Sequence, residues 1–581
     1  MKPCFIVLPT LVLLLVQTAG AATFTVTNTF DSGAGSLRDA IAQSNTTPGT
    51  NTIAFNILPL DGSVKTIFVL DQLPLITQSV IIDGYTQDPT HSHPNTLANA
   101  DDAVLLIELN GTNAAGIDGL RFGSGSDSSG SVVRGLVINN FGSAAITSQN
   151  QSSNIVIEGN FIGTDSSGKL ARGNVKFTSI AAALNLDCPG IRIGGASTGA
   201  RNIISGNRAG GIQSAGGNTL IQGNFIGVDA TGTNALGNGL LGLHGVWIQG
   251  SSAVVGGATA GARNVISGNG GHGVVVNTAQ SARIHDVSIQ GNHIGTDANG
   301  TGLLPNGGQG VEVNESTNVL IGGATAVAGT PPGNLIAGNS SHGVGVGFFA
   351  FGGAYNLRVQ GNIITANQGD GVLIRASSVG DTVSSNSIFA NGGLGIELTG
   401  NANNSQTNPV ITRVVTDGGN VTLSGSLKSG TNSAYRLEFF SNASCDGGGS
   451  GEGQVFLGDT NLGTDASGNV SFVMTLANPA GHANFTATAT DANGNTSAFS
   501  PCISLSPSQL TGFVALPDGT TQIQGIGLAY LTYTIQAASN LNPIIQWSEL
   551  GVSTANGSGV FSFTDTNAPL FPMRFYRVRS P

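Results

Sequence analysis

Charge is scarce in this chain. Of 581 residues only 9% are Asp, Glu, Lys or Arg. Disorder needs high charge with low hydrophobicity, and that combination is missing. The 21 basic residues are outnumbered by 32 acidic ones, for a net charge of −11. Such a balance argues against nucleic acid or an anionic membrane as partner. Aromatic residues make up 6% and cysteines number 4, so neither a dense disulfide scaffold nor an aromatic-rich core is expected. No G-X-Y period runs through the 88 glycines, which excludes collagen. Beyond residue 22 no stretch is apolar enough to cross a membrane as a helix.

What is present repeats. GNFIGTD (159–165), GNFIGVD (223–229) and GNHIGTD (291–297) recur, interleaved with GARNIISGN (199–207), GARNVISGN (261–269) and the looser GNLIAGN (333–339). Glycine-led strands follow the same rhythm: GVWIQ from 245, GVVVN from 273, GVEVN from 310, GVGVG from 343, GVLIR from 371 and GIELT from 395. A period of this length marks a stack of supersecondary units. Each unit reads as one coil of about three short strands, with alternate side chains pointing in and out. Gly and Asn suit the corners because both tolerate left-handed backbone angles. Stacked Asn can also hydrogen-bond along a column. In this arrangement Ile248 and Val274 must be buried and neighbouring rungs paired.

The termini differ from the repeats. Residues 1–22 read as a secretory signal: Lys2, an apolar run at 5–16, then Ala19-Gly20-Ala21. Export makes a disulfide between Cys445 and Cys502 reasonable and leaves Cys188 unpaired and inert. Residues 23–85 suggest a cap and first strands. Ser36 and Asp39 there form a capping-box pattern ahead of a short helix, and the cap would cover an otherwise open sheet edge. Residues 86–118 read as irregular. From about 408 the segments alternate with a turn every ten residues or so, as in a β-sandwich. Another small β-module starts near 507.

These repeats resemble the right-handed parallel β-helix of the pectin-lyase-like superfamily, and most of all bacterial secreted β-helix repeat proteins. The opening TVTNTFDSGAGSLRDAI resembles the cap segment of such chains, and 408–506 resembles bacterial immunoglobulin-like modules. The resemblance implies an all-β chain: signal 1–22, cap and first strands 23–85, β-helix 86–407, sandwich 408–506 and a small β domain 507–581. Fold does not fix function. In β-helix enzymes chemistry sits on one exposed sheet. Paired carboxylates would hydrolyse a glycoside; calcium with an Arg or Lys base would serve elimination.

The residues offer few candidates for either. Asp165, Asp229 and Asp297 recur at matched positions, and each precedes a Ser, Ala or Asn-containing turn ending in Gly. His272 lies in GHG, a motif carried by galacturonan hydrolases, but their accompanying motifs are missing and SHG (341–343) occupies a similar place. Arg201 and Arg263 also match each other, which fits bonding to turn carbonyls better than catalysis. Asp101 and Asp102 are adjacent carboxylates. Asp101, Asp102, His272 and Arg263 therefore stand as the catalytic candidates. Glu108, Asp118, Arg121, Arg134 and Glu158 are further singular residues. Asp88, His91 and His93 fit a solvated loop better than a metal site. Asp491, Asn493 and Asn495 resemble a fragment of a calcium loop without its closing Glu, so no cofactor is assigned and Ca2+ is the one ion considered.

The expectation is a secreted or cell-surface protein, monomeric and non-catalytic, presenting loops to a polysaccharide or cell-surface glycan. The alternative is a lyase or hydrolase of an acidic polysaccharide. The enzyme alternative requires two carboxylates about 5–10 Å apart in an open groove, or three oxygens able to hold calcium.

Overall fold

The structure is a computed structural model. It describes residues 20–579 apart from 115, 124–127, 150, 176–181, 240–241, 279–282, 349–351, 418, 446–450, 506–507, 528–529, 543 and 558. The expected signal segment lies, up to residue 19, outside the described residues.

The repeat winds as a right-handed parallel β-helix. Among the described residues three long sheets of twelve, eleven and ten strands run its length. Sheet 1 begins at Thr23–Val26 and ends at Thr382–Ser384; sheet 2 runs from Lys65–Phe68 to Ser387–Phe389; sheet 3 runs from Leu120–Phe122 to Ile396–Leu398. All pairing within them is parallel and in register, as Val246↔Val274↔Val311↔Val344↔Val372↔Ile396 shows on sheet 3. Sheet 1 starts before residue 86, because Asn51–Phe55 and Val80–Asp83 already stack as rungs. The stretch expected to be irregular contains a sheet 2 strand, Ile107–Asn110.

The inward positions are aliphatic. On sheet 2 one position is Ile in nine successive coils, from Ile138 to Ile388, each at most 1% exposed. Ile248 and Val274 are fully buried. Burying an Ile or Val contributes about 1.5–3 kcal/mol, and each side chain meets its own kind one rung away.

Asparagine occupies two of the three corners. Between sheets 1 and 2 stand Asn160, Asn202, Asn224, Asn264, Asn292, Asn334, Asn362 and Asn386; each Nδ2 donates to the next Oδ1 at 2.9 to 3.2 Å. Between sheets 2 and 3 a second column runs from Asn174 through Asn207, Asn238, Asn269, Asn306, Asn339 and Asn367 to Asn391, at 2.9 to 3.0 Å. The accepting Oδ1 also takes a backbone N–H, as Asn264 does from Asn224. At the third corner a residue with positive φ precedes the sheet 1 strand: Asn154, Asn218, Ser252, Asp286, Asn318 and Asn356. Glycine is required at the last residue of the sheet 1 strand, where φ is +86° at Gly256 and a Cβ would strike the Gln290 carbonyl.

Both ends are closed. Helix Leu37–Thr46 packs Leu37, Ala40 and Ile41 onto the first rung. Ser36 Oγ accepts from Asp39 N, and Asp39 accepts from Gly35 N rather than from the cap residue itself, so the box is shifted by one residue. At the far end, residues 410–504 form two facing antiparallel sheets over their own core. Phe440 and Phe499 from this unit join the β-helix core. Glu452 Oε1 accepts from both N and Nδ2 of Asn391, as a further asparagine would. Cys445 and Cys502 are bonded, and Cys188 is free and buried. A second two-sheet unit, from Gln509 to Arg579, has its own small core.

Replacing Asn264 by Ala removes the side-chain partners of the Asn224 backbone N–H and of the Ile221 carbonyl. Each orphan costs about 1–3 kcal/mol, so the urea midpoint should fall well below that of Lys169→Ala, an exposed site expected to change stability by less than about 0.5 kcal/mol.

Candidate functional site

Candidates that recur in sequence turn out to be bonded into the scaffold. The IG[TV]D segments form hairpins, bridged at Thr164–Ala171, Val228–Ala235 and Thr296–Leu303. They fold back over the outer face of sheet 2 and enclose a second apolar layer of Phe161, Ile203, Phe225, Val265, Val228 and Ala298. Although they leave alternate coils, they stack directly: Ala230 N donates to Gly168 O and Ala298 N to Gly232 O. Asp165, Asp229 and Asp297 accept from their own turns, for example Asp297 Oδ1 from Thr301 N at 2.8 Å.

Of the singular residues of 86–190, Arg134 and Glu158 lie side by side on sheet 1 next to Asp83, and the others are spread over separate sheets and loops. Arg134 pairs with Asp83 (2.7 Å) and Glu158 with Arg192 (2.8 Å) along sheet 1. Glu108 accepts from Thr66 and Asn139 on sheet 2. Asp118 caps Ala144 N, and Arg121 lies on sheet 3. His91 pairs with Asp88 at 2.8 Å, while His93 bonds to Pro94 O. Asp491 accepts from Asn493 N, Asn495 N and Asn495 Nδ2; Asn495 in turn accepts from Gly380 N. Among the described residues no three His, Cys, Asp or Glu side chains are grouped to hold a metal.

Asp102 accepts from Thr96 N and Oγ1 in the loop that crosses sheet 2. Asp101 is different. Its Oδ1 accepts from Ala103 N, but its Oδ2 is buried without a partner. Burial pushes the carboxyl up to about 6, with Arg201 opposing. The same loop wraps Arg201, which donates to the carbonyls of Leu97 (3.0 Å), Ala98 (2.6 Å) and Ala100, with Nε on Gly223 O. Arg263 makes the matching Nε bond to Gly291 O (3.2 Å).

His272 belongs to a row just before each sheet 3 strand: His244, His272, Gln309, His342 and Asp370. Each histidine Nδ1 accepts a backbone N–H from a later coil: His244 from His272, His272 from Gln309 and His342 from Asp370. An accepting Nδ1 makes His272 neutral, with its proton on Nε2, 3.2 Å from Glu312 Oε2. Burial pushes the His272 imidazole down against the pull of Glu312, and burial with His272 holds His244 down to about 4.

The outward row of sheet 3 runs Arg121, Thr147, Asn185, Gln213, Trp247, Val275, Glu312, Gly345, Leu373, Glu397. Thr147, Asn185, Gln213 and Trp247 are half-exposed neighbours. Gln213 donates to Gln249 at 2.7 Å, and His244 meets the Trp247 ring edge-on at 6.0 Å. Further along, Glu397 hydrogen-bonds Asp370, and this bond raises Glu397. Asp370 is held low by His342 and Glu397 despite its burial. Repeat alignment exposes this row, but Glu312, Glu397 and Trp247 sit where other coils carry Val, Gly or Leu, so nothing in the sequence marked them as functional.

Against known proteins, a family model described as the right-handed β-helix region matches residues 231–434. No curated protein matches the chain. Among solved structures, the mannuronan C-5 epimerase AlgE4 A-module of Azotobacter vinelandii is similar at 15% identity, over 64% of this chain and 78% of that one, with a TM-score of 0.35. The tailspike protein of E. coli bacteriophage HK620, solved in complex with a pentasaccharide, is similar at 12% identity over 80% and 92%, with a TM-score of 0.23. Likenesses at this level carry no statement about chemistry.

Because the folded-state pKa of Asp101 is raised, its neutral form is favoured. Its contribution to stability is full below the unfolded value near 4 and is lost as pH rises through about 6. Thermal melts from pH 4 to 7 should show Asp101→Asn gaining on the wild type as pH rises; parallel curves would refute the assignment.

Proposed function

We propose that this is a secreted or cell-surface β-helix protein that binds carbohydrate without transforming it, through the half-exposed part of sheet 3. The observation that carries this reading is the row Thr147, Asn185, Gln213 and Trp247. Planar amides and a hydroxyl can donate to and accept from sugar hydroxyls. An indole supplies a flat apolar surface beside them. Because the rungs are parallel and in register, these groups repeat at about 4.8 Å, which suits an extended chain lying along the rod. The division into cap and first strands 23–85, β-helix 86–407, sandwich 408–506 and terminal domain 507–581 is part of the same proposal. So are the signal segment and the monomeric state.

The enzyme reading has one specific observation in its favour: carboxyl pairing of Asp370 with Glu397, beside His342. The spacing works against it. Carboxyls in hydrogen-bond contact are closer than the ~5 Å that a retaining glycosidase needs to place a sugar between them.

Titration of the full chain with neutral and acidic polysaccharides should give binding that Trp247→Ala weakens tenfold or more, with no reducing ends or unsaturated product released. Product release abolished by Glu397→Gln or Asp370→Asn would replace this reading with the enzymatic one.

A further inference from the structure

Arg201 and Arg263 occupy the same place in successive GARN copies, one residue before a ladder asparagine. Both direct Nε to the carbonyl of a glycine in the next coil. There the likeness stops. The Arg201 guanidinium is enclosed by three carbonyls of the crossing loop and lies 4.2 Å over the Phe225 ring. The carbonyls of that loop bond Arg201 and not Arg263. Among the described residues the Arg263 Nη groups have no acceptor and no carboxylate partner. In the third copy Gly333 replaces the arginine.

The unmatched guanidinium borders a cavity of about 140 Å³, whose lining also includes Asn99, Thr198, Ala196, Phe225 and Ala298. Arg263 is half-buried, and burial pushes its pKa down, with the Gly291 carbonyl on Nε as its one hydrogen-bond acceptor among the described residues. His293 nearby is a neutral ring and offers the guanidinium no counter-charge, its imidazole held down to about 4 by burial and Arg263. Arg201 shows which groups a guanidinium gathers in this setting, namely oxygen acceptors. A planar fork with free Nη groups matches two oxygens of one oxyanion.

We propose that this cavity is an oxyanion site, in which Arg263 grips a carboxylate or sulfate while Thr198 and Asn99 supply further hydrogen bonds. The volume admits the anionic group and part of what carries it, so the ligand is either a small free anion or an acidic sugar. The site lies at the corner between sheets 1 and 2, and does not depend on glycan binding at sheet 3.

Calorimetric titration of the full chain with acetate, sulfate and glucuronate, ionic strength balanced with chloride, tests this. One saturable site is expected for at least one of the three, with a matching rise in Tm. Arg263→Gln should weaken it at least tenfold, beyond any fall in the anion-free Tm from losing the Gly291 bond, and Arg263→Lys should fall between. Ala196→Leu, which leaves the arginine intact and narrows the exposed rim, should weaken it as well. Tighter glucuronate than acetate identifies a sugar-borne carboxylate, whereas tighter sulfate identifies a sulfate group. Trp247→Ala should not change anion affinity, which separates this site from sheet 3. No saturable binding by any probe, or equal affinity in Arg263→Gln, would overturn the proposal.

Discussion

Every coil must present the same backbone hydrogen-bonding groups, at the same height, as the coils before and after it. The rest of the structure follows from that requirement. Where strands pair, the backbone satisfies it alone. At the corners the chain turns and the ladder would break, leaving buried N–H and C=O groups at a cost of roughly 1–3 kcal/mol each. Asparagine solves this at two corners, since one side chain carries both a donor pair and an acceptor. Its Oδ1 takes the backbone N–H of the neighbouring rung, its Nδ2 reaches a strand carbonyl such as Ile221 O, and the side chains link to one another. At the third corner the same need is met by left-handed backbone angles.

A stack satisfied rung by rung has an unsatisfied first and last rung. The two ends meet this differently. The N-terminal end uses a capped amphipathic helix. The C-terminal end uses a folded unit whose Glu452 stands in for the next asparagine and whose Gly453 bridges Ile388. The antiparallel unit at 410–504 therefore also closes the rod. Glu438, buried in this junction, accepts from Ser385 N, and burial raises its carboxyl against the opposing Arg436.

Much of this was legible beforehand. Aliphatic alternation, Gly-led strands and periodic Asn pointed to a spiral with buried Ile248 and Val274, and to corner asparagines in columns. The turn character of Asp165, Asp229 and Asp297 was readable too, because an Asp followed by small residues and Gly has a local explanation. The repeat position of His272 was visible in GHG and SHG, but its job was not. Accepting a backbone N–H from a later coil involves Gln309, 37 residues away. Trp247, Glu312 and Glu397 were missed because a single residue in an outward slot looks like ordinary repeat variation. Asp370 and Glu397 meet only because two coils bring them together.

The amino-acid sequence by itself determined the coil: its period, its inward aliphatic rows and its asparagine corners. These depend on local backbone preference and on a repeat that any one coil displays. Only the tertiary structure decided which outward side chains meet. It laid the hairpins of alternate coils over sheet 2, wrapped the 95–100 loop around Arg201 and left Arg263 facing a cavity. The physical reason is that coils vary in loop length, so lateral neighbours on the surface are set by stacking rather than by distance along the chain.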